Sequence, residues 1–165
     1  MSTNNNISFS YTEIENPDEL SLEDKELVLS ARDTALNAYA PYSKFRVGAA
    51  VRLNSGRIVC GANVENAAFP AGICAERCAI SNAVSNYPDD HVVAIAVSAH
   101  TDDGLTVEPV PPCGTCRQVI AEEESRNGNV IKVILSGKDK TLIIGSISFL
   151  LPLKFNKENL KIILP

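Results

Sequence analysis

The stretch GICAERCAI, Gly72 to Ile80, sets a single carboxylate among apolar residues and two thiols, and PPCGTCRQV from Pro111 onward adds a C-x-x-C pair. Cys113 and Cys116 stand at the start of a predicted helix, and Cys74 opens another in the same way. Unsatisfied amides and the helix dipole at such a position favour thiolate over thiol. Three thiolates meeting at one point repel each other unless a cation lies between them, and Zn²⁺ is the usual partner for such a donor set. Ionising each thiol at pH 7 costs roughly 2 kcal/mol from a free pKa near 8.5. Apparent zinc affinities of about 10–16 kcal/mol at pH 7 already include that cost.

Other uses of the thiols fit the same spacing. A C-x-x-C alone is the pattern of a redox pair. Cys74, Cys78, Cys113 and Cys116 have the C-x₃-C and C-x₂-C spacings of a closed four-thiolate site, and Cys74 and Cys78 share a helix face. Cysteine is also a common core residue, the role expected of Cys60 in its strand. Glu76 favours an open metal site, because a metal-activated water needs a group to carry its proton and a structural site does not. Residues two apart diverge on a regular helix. Cys74 and Glu76 therefore serve one water only if the metal sits at the helix end. Three thiolates bring a zinc cluster to a formal charge of −1, which blunts its power to acidify water. The helix N-termini, Arg77 and Arg117 are the positive groups within reach to compensate.

The elements around these residues read as one α/β domain. SLEDKELVLSARDTALNAYAP is a helix that Ser21 caps and Pro41 follows. FRVGAAVRLNSGRIVCGANVEN is a hairpin turning at Asn54-Ser55-Gly56. Residues 91–100 and 130–137 are apolar and β-branched, as suits strands buried on both faces, and TLIIGS adds a fifth strand. A strand, the helix from Cys113, and a second strand form a βαβ unit whose strands run parallel. The predicted architecture is a three-layer α-β-α sandwich around a mixed five-stranded sheet. Residues 1–20 read as a flexible extension, 21–155 as the domain and 156–165 as a tail.

Composition narrows the partners. The net charge of −5 gives no basic footprint for nucleic acid. No apolar run approaches the about 20 residues of a membrane span, and the polar start lacks the pattern of a secretory signal. The expected setting is the cytoplasm, where five thiols stay reduced.

Across these same residues the sequence resembles the zinc-dependent cytidine deaminases, specifically the small homotetrameric kind acting on free nucleosides. YAPYSKFRVGAA, GANVENAAFPAGICAER, PPCGTCRQVI and LLPLKF carry the resemblance, from about Leu20 to Phe155. It implies zinc held by Cys74, Cys113 and Cys116, with Glu76 shuttling protons as water attacks C4 of cytosine. It also implies that Asn63 and Glu65 take the ribose hydroxyls, that Phe45 packs on the base, and that Ala75 contacts substrate. Arg77 would offset the thiolate charge, and Phe155 would reach a neighbouring subunit's site. The implied reaction converts cytidine and 2′-deoxycytidine to the uridines with release of ammonia. Phe69 stands where the family often has tyrosine, and Cys78 where it has a small hydroxyl residue. A nucleic-acid-editing deaminase and an inactive zinc-stabilised module are the rival readings. An acidic chain with a ribose-gripping NVEN argues against the first, and Glu76 against the second.

Overall fold

The two apolar runs settle side by side in the middle of one sheet, in a computed structural model that describes residues 2–160. In chain order the elements are β1 (Thr12–Ile14), α1 (Leu22–Ala35), β2 (Arg46–Leu53), β3 (Ile58–Ala62), α2 (Ala75–Asn86), β4 (Val92–Thr101), β5 (Gly104–Leu105), α3 (Gly114–Asn127), β6 (Lys132–Ser136), β7 (Thr141–Ile144) and α4 (Lys157–Leu160). The strand order is β1-β7-β6-β4-β2-β3, with β5 paired to the end of β4. β4 and β6 are parallel, with Ala96 beside Ile134, and the other pairs are antiparallel. The mixed sheet and the βαβ unit are thus as expected.

Alternation along β4 divides the core. Ala94 and Ala96 face α1, where they meet Leu27, Val28 and Ala31. Ile95 and Val97 face the opposite layer, where Ala79, Ile80 and Ala83 of α2 and Ile120 and Ala121 of α3 cover them. Each large aliphatic side chain fully buried here contributes about 1.5–3 kcal/mol. α1 begins where Ser21 Oγ accepts the Asp24 N–H at 3.2 Å. Asp24 then ties that helix to the sheet, its carboxylate taking Lys132 Nζ at 2.7 Å and Arg52 Nη2 at 3.3 Å.

Two contacts bring helix backbone against strand. A Cβ on Gly48 of β2 would lie 2.1 Å from the Ala31 carbonyl oxygen. One on Gly61 of β3 would lie 2.3 Å from the Ala79 nitrogen. The second contact sets the height of α2, and with it the position of Cys74.

The sheet has seven strands where the sequence implied five. The extra ones are short: β5 is a two-residue bridge off β4, and β1 is a three-residue edge strand on β7. Within residues 1–20, read from the sequence as a flexible extension, the part from Thr12 onward is docked on the sheet. Thr12, Glu13 and Ile14 pair with Ile143, Leu142 and Thr141, and Ile14 and Leu20 are buried. Two buried apolar residues among polar ones are too sparse to show a period, yet they suffice to dock the chain on an open sheet edge. In the tail, α4 begins at Lys157, and residues 161–165 lie outside the described residues.

Candidate metal centre

A proline run leads into one of the two cysteine sites. Pro109, Pro111 and Pro112 hold the chain extended up to Cys113, which is the N-cap of α3 at φ −66° and ψ 167°. Cys74 is the N-cap of α2 at φ −76° and ψ 153°. Neither thiol caps its own helix, so both are free to face each other. Cys116, in the first turn of α3, is fully buried. The Sγ atoms of Cys74, Cys113 and Cys116 all lie within 4.8 Å of one another, those of Cys113 and Cys116 at 3.5 Å. Cys78, one turn along α2, is outside this group, so the sulfurs that gather among the described residues number three rather than four.

Burial and mutual proximity set the electrostatics of the cluster. Burial pushes the Cys74 and Cys116 thiols up; at Cys116 Glu76 and both neighbouring sulfurs add to the effect, whereas at Cys74 the Cys116 thiol opposes it and Cys113 and Glu76 reinforce it. At Cys113 burial also pushes upward, but the Cys116 N–H and the Cys116 and Cys74 thiols outweigh it and the net shift is downward. Glu76, only 5% exposed, is pushed up by burial. Three close sulfurs at two helix N-termini, one wholly buried, suit zinc by softness and by number. The residues present fit that ion.

In front of the cluster lies a cavity of about 420 Å³, within the size range of small-molecule sites. Cys74, Ala75, Glu76 and Cys113 form its floor side, with Phe45, Asn63, Val64, Glu65 and Phe69 elsewhere on its lining. β3 ends at Ala62. Val64 then bridges to both Tyr39 and Ile73, and it lines the cavity along with Asn63 and Glu65.

Asn63 and Glu65 are also fasteners. Asn63 Oδ1 accepts the Val47 N–H at 2.7 Å, and its Nδ2 donates to the Phe45 carbonyl at 3.0 Å. Glu65 Oε2 accepts the Tyr42 and Ser43 N–H groups at 2.9 and 3.3 Å. Hydrogen bonds from Ser43 and Tyr42 hold its carboxyl below the usual range. These bonds secure the turn through Lys44, whose φ of 57° is left-handed, and so present Phe45 to the cavity.

The two arginines beside the cysteines differ in their contacts. Among the described residues no hydrogen bond or salt bridge joins Arg77 to the thiols. Arg117 turns away from sulfur: Nε donates to the Pro112 carbonyl at 2.8 Å and Nη1 to the Leu150 carbonyl at 2.9 Å. It braces the segment that carries Cys113, a role that sequence spacing alone did not reveal. Val110 and Pro111, which no sequence expectation named as site residues, also wall the cavity. Phe155 lies outside this chain's cavity lining, exposed, with its carbonyl held by Gln118 Nε2 at 2.8 Å.

Fold and cluster together are those of a zinc-site protein whose metal faces a ligand cavity. More narrowly, the chain belongs to the cytidine and deoxycytidylate deaminase zinc-binding family, whose model matches residues 21–132. A cytidine deaminase of Halalkalibacterium halodurans is 42% identical over 134 residues, which cover 81% of this chain and 95% of that one. A blasticidin-S deaminase of Bacillus cereus is 31% identical over 141 residues, covering 84% and 96%. The crystal structure of cytidine deaminase from Burkholderia pseudomallei superposes with a TM-score of 0.68 at 36% identity, covering 79% of this chain and 97% of that one.

Proposed function

We propose that the protein is a zinc-dependent hydrolase that deaminates cytidine and 2′-deoxycytidine to the corresponding uridines, releasing ammonia. The observation that carries this reading is the buried Glu76 carboxyl on the wall of one ligand-sized cavity, beside three convergent sulfurs of which two, Cys74 and Cys113, line that cavity. The relatives named cytidine deaminase support the choice of substrate.

Zinc held by Cys74, Cys113 and Cys116 supplies Lewis-acid activation of a water. Glu76 takes the proton that water gives up and passes it to N3 of the cytosine ring, which makes C4 electrophilic as the oxygen adds there. The same carboxylate then takes the second proton, from the oxygen now bonded to C4, and delivers it to the exocyclic nitrogen, so that ammonia leaves with the C–N electron pair and C4 keeps the oxygen as a carbonyl. General acid–base help of this kind is worth about 10²–10⁴-fold. Phe45 packs on the base, Ala75 lies against its polar edge, and Asn63 and Glu65 meet the sugar. Glu65 has one oxygen engaged by the Tyr42 and Ser43 amides, and Asn63 retains one amide hydrogen. Positive charge to offset the thiolates comes from the two helix N-termini, with Arg77 as the nearby side chain.

The working form is a homotetramer in which Phe155 enters a neighbour's cavity, a role its exposure and its absence from its own chain's lining support. No helix among the described residues is long and apolar enough to cross a membrane. Five free thiols fit the reducing cytoplasm, and the role proposed there is pyrimidine salvage, without nucleic-acid or membrane partners.

The test is spectrophotometric loss of cytidine with metal analysis on the same sample. Turnover with about one zinc per chain is expected. Glu76→Gln should keep the zinc and lose turnover, and a Glu76→Gln protein as active as its parent would end this reading.

A further inference from the structure

The segment before residue 21 lies outside the family match, yet it is anchored at three places. β1 pairs with β7. Phe9 stacks on Phe149, with centroids 5.9 Å apart and ring planes at 9°. Glu13 approaches Lys140 Nζ at 3.7 Å, and that same nitrogen lies 3.0 Å from Glu108. Glu108 opens the segment Glu108-Pro109-Val110-Pro111-Pro112 that leads into Cys113. Phe9 and Tyr11 line an apolar groove of about 270 Å³ whose other side includes Pro109, Pro111, Leu142 and Leu150. Pro111 lines this groove and the larger cavity alike, so one residue separates the N-terminal segment from the space assigned to substrate.

That wall is poor in the bonds that ordinarily fix a chain. Three of the four residues 109–112 are proline, which leaves one N–H between them. Its position therefore depends on side-chain packing and on braces from outside: Arg117 on the Pro112 carbonyl, Lys140 on Glu108, and the aromatic pair beneath Pro109 and Pro111.

We propose that residues 7–14 form a strap that positions the Val110–Pro111 wall, with Phe9 and Tyr11 as its positioning residues, and so sets how tightly the cavity holds the nucleoside. This rests on the deaminase reading for the identity of the ligand. Wall placement acts on substrate and transition state alike, so its loss raises KM while sparing kcat.

The experiment pairs Phe9→Ala/Tyr11→Ala with Lys140→Met in the full-length zinc-loaded protein. Phe9 and Tyr11 are 47% and 54% exposed, so the double substitution leaves the core untouched. The expected result is a roughly three- to tenfold rise in KM for cytidine, with kcat within about twofold and zinc content unchanged. The Val110 methyl resonances in an NMR spectrum should also shift while those of the valines in β4 do not, a readout that needs no turnover. Unchanged KM and unchanged Val110 methyl shifts, even with a lower melting temperature, would overturn the proposal and reduce the strap to a cover for the β7 edge. A parent protein inert toward cytidine would sink the deaminase reading instead, and the Val110 methyl shifts would then decide the strap alone.

Discussion

Cys74 and Glu76 reach the same cavity although they are two residues apart, because α2 begins between them. Cys74 is the N-cap, with an extended ψ of 153°, and Glu76 is the second residue of the helix proper. The divergence of positions i and i+2 on a regular helix therefore does not apply. A sulfur and a carboxyl can converge only at such a boundary, and the same boundary supplies the partial positive charge that both anions favour.

The first prediction separates the four cysteines of the two motifs. Removing Cys74, Cys113 or Cys116 by substitution to alanine should abolish stoichiometric zinc, because each takes one sulfur from a set of three. Cys78→Ala should retain about one zinc per chain, since that sulfur is outside the set. Zinc measured by inductively coupled plasma emission on the four variants gives the comparison. Loss of metal from Cys78→Ala with retention in Cys74→Ala would reverse the ligand assignment.

How much of this was legible in the sequence depends on what kind of contact fixes each part. The three-layer fold could be read because β4 and β6 are long apolar runs and α1 has a clean cap at Ser21. The three thiols and Glu76 could be read because metal chemistry demands particular residue types at particular spacings. β1 escaped because three residues on an edge carry no period. The direction of Arg117 escaped because its acceptors are backbone carbonyls, which every residue has, one of them 33 positions away at Leu150. Asn63 and Glu65 were read as sugar contacts. Their second duty, pinning the Tyr42–Phe45 turn, depends on a tertiary approach that no local pattern encodes.

Gly48→Ala should be among the most damaging single changes distant from the metal. Its new methyl would meet the Ala31 carbonyl oxygen and the Ala35 nitrogen, both backbone, at 2.1 and 2.4 Å. Neither can rotate away, so α1 must lift from the sheet, at an expected destabilisation of at least about 3 kcal/mol. Urea titration followed by circular dichroism measures it. A loss under about 1 kcal/mol would mean that helix and sheet are less closely seated than the structure has them.

Arg117→Ala should weaken the metal without removing a ligand. It frees the Pro112 and Leu150 carbonyls and loosens the turn that delivers Cys113. Outer partners of this sort are worth roughly 10–100-fold in metal affinity, which competition against a chelating dye resolves. Arg117→Lys should not restore it, because a single ammonium lacks the two-pronged reach of the guanidinium. Full affinity in the lysine variant would argue that charge alone matters there.

The last prediction concerns pH. Burial would raise the Asp24 carboxyl, but the Lys132 ammonium, the Ser21 hydroxyl and the Arg52 guanidinium more than offset it, and the pKa falls below the ordinary value. A carboxyl lowered on folding stabilises fully above its unfolded pKa, near about 3.9, and that contribution fades as pH drops through the folded value. At pH 7 Asp24→Asn should cost about 2–3 kcal/mol, since it leaves Lys132 and the largely buried Arg52 without their carboxylate. The gap between parent and variant should narrow as pH falls below about 4, because protonation of Asp24 makes the parent resemble its asparagine counterpart. Paired urea titrations from pH 7 downward test this. A gap that stays constant, or widens toward acid, would show that the Asp24 charge does not hold α1 to β6.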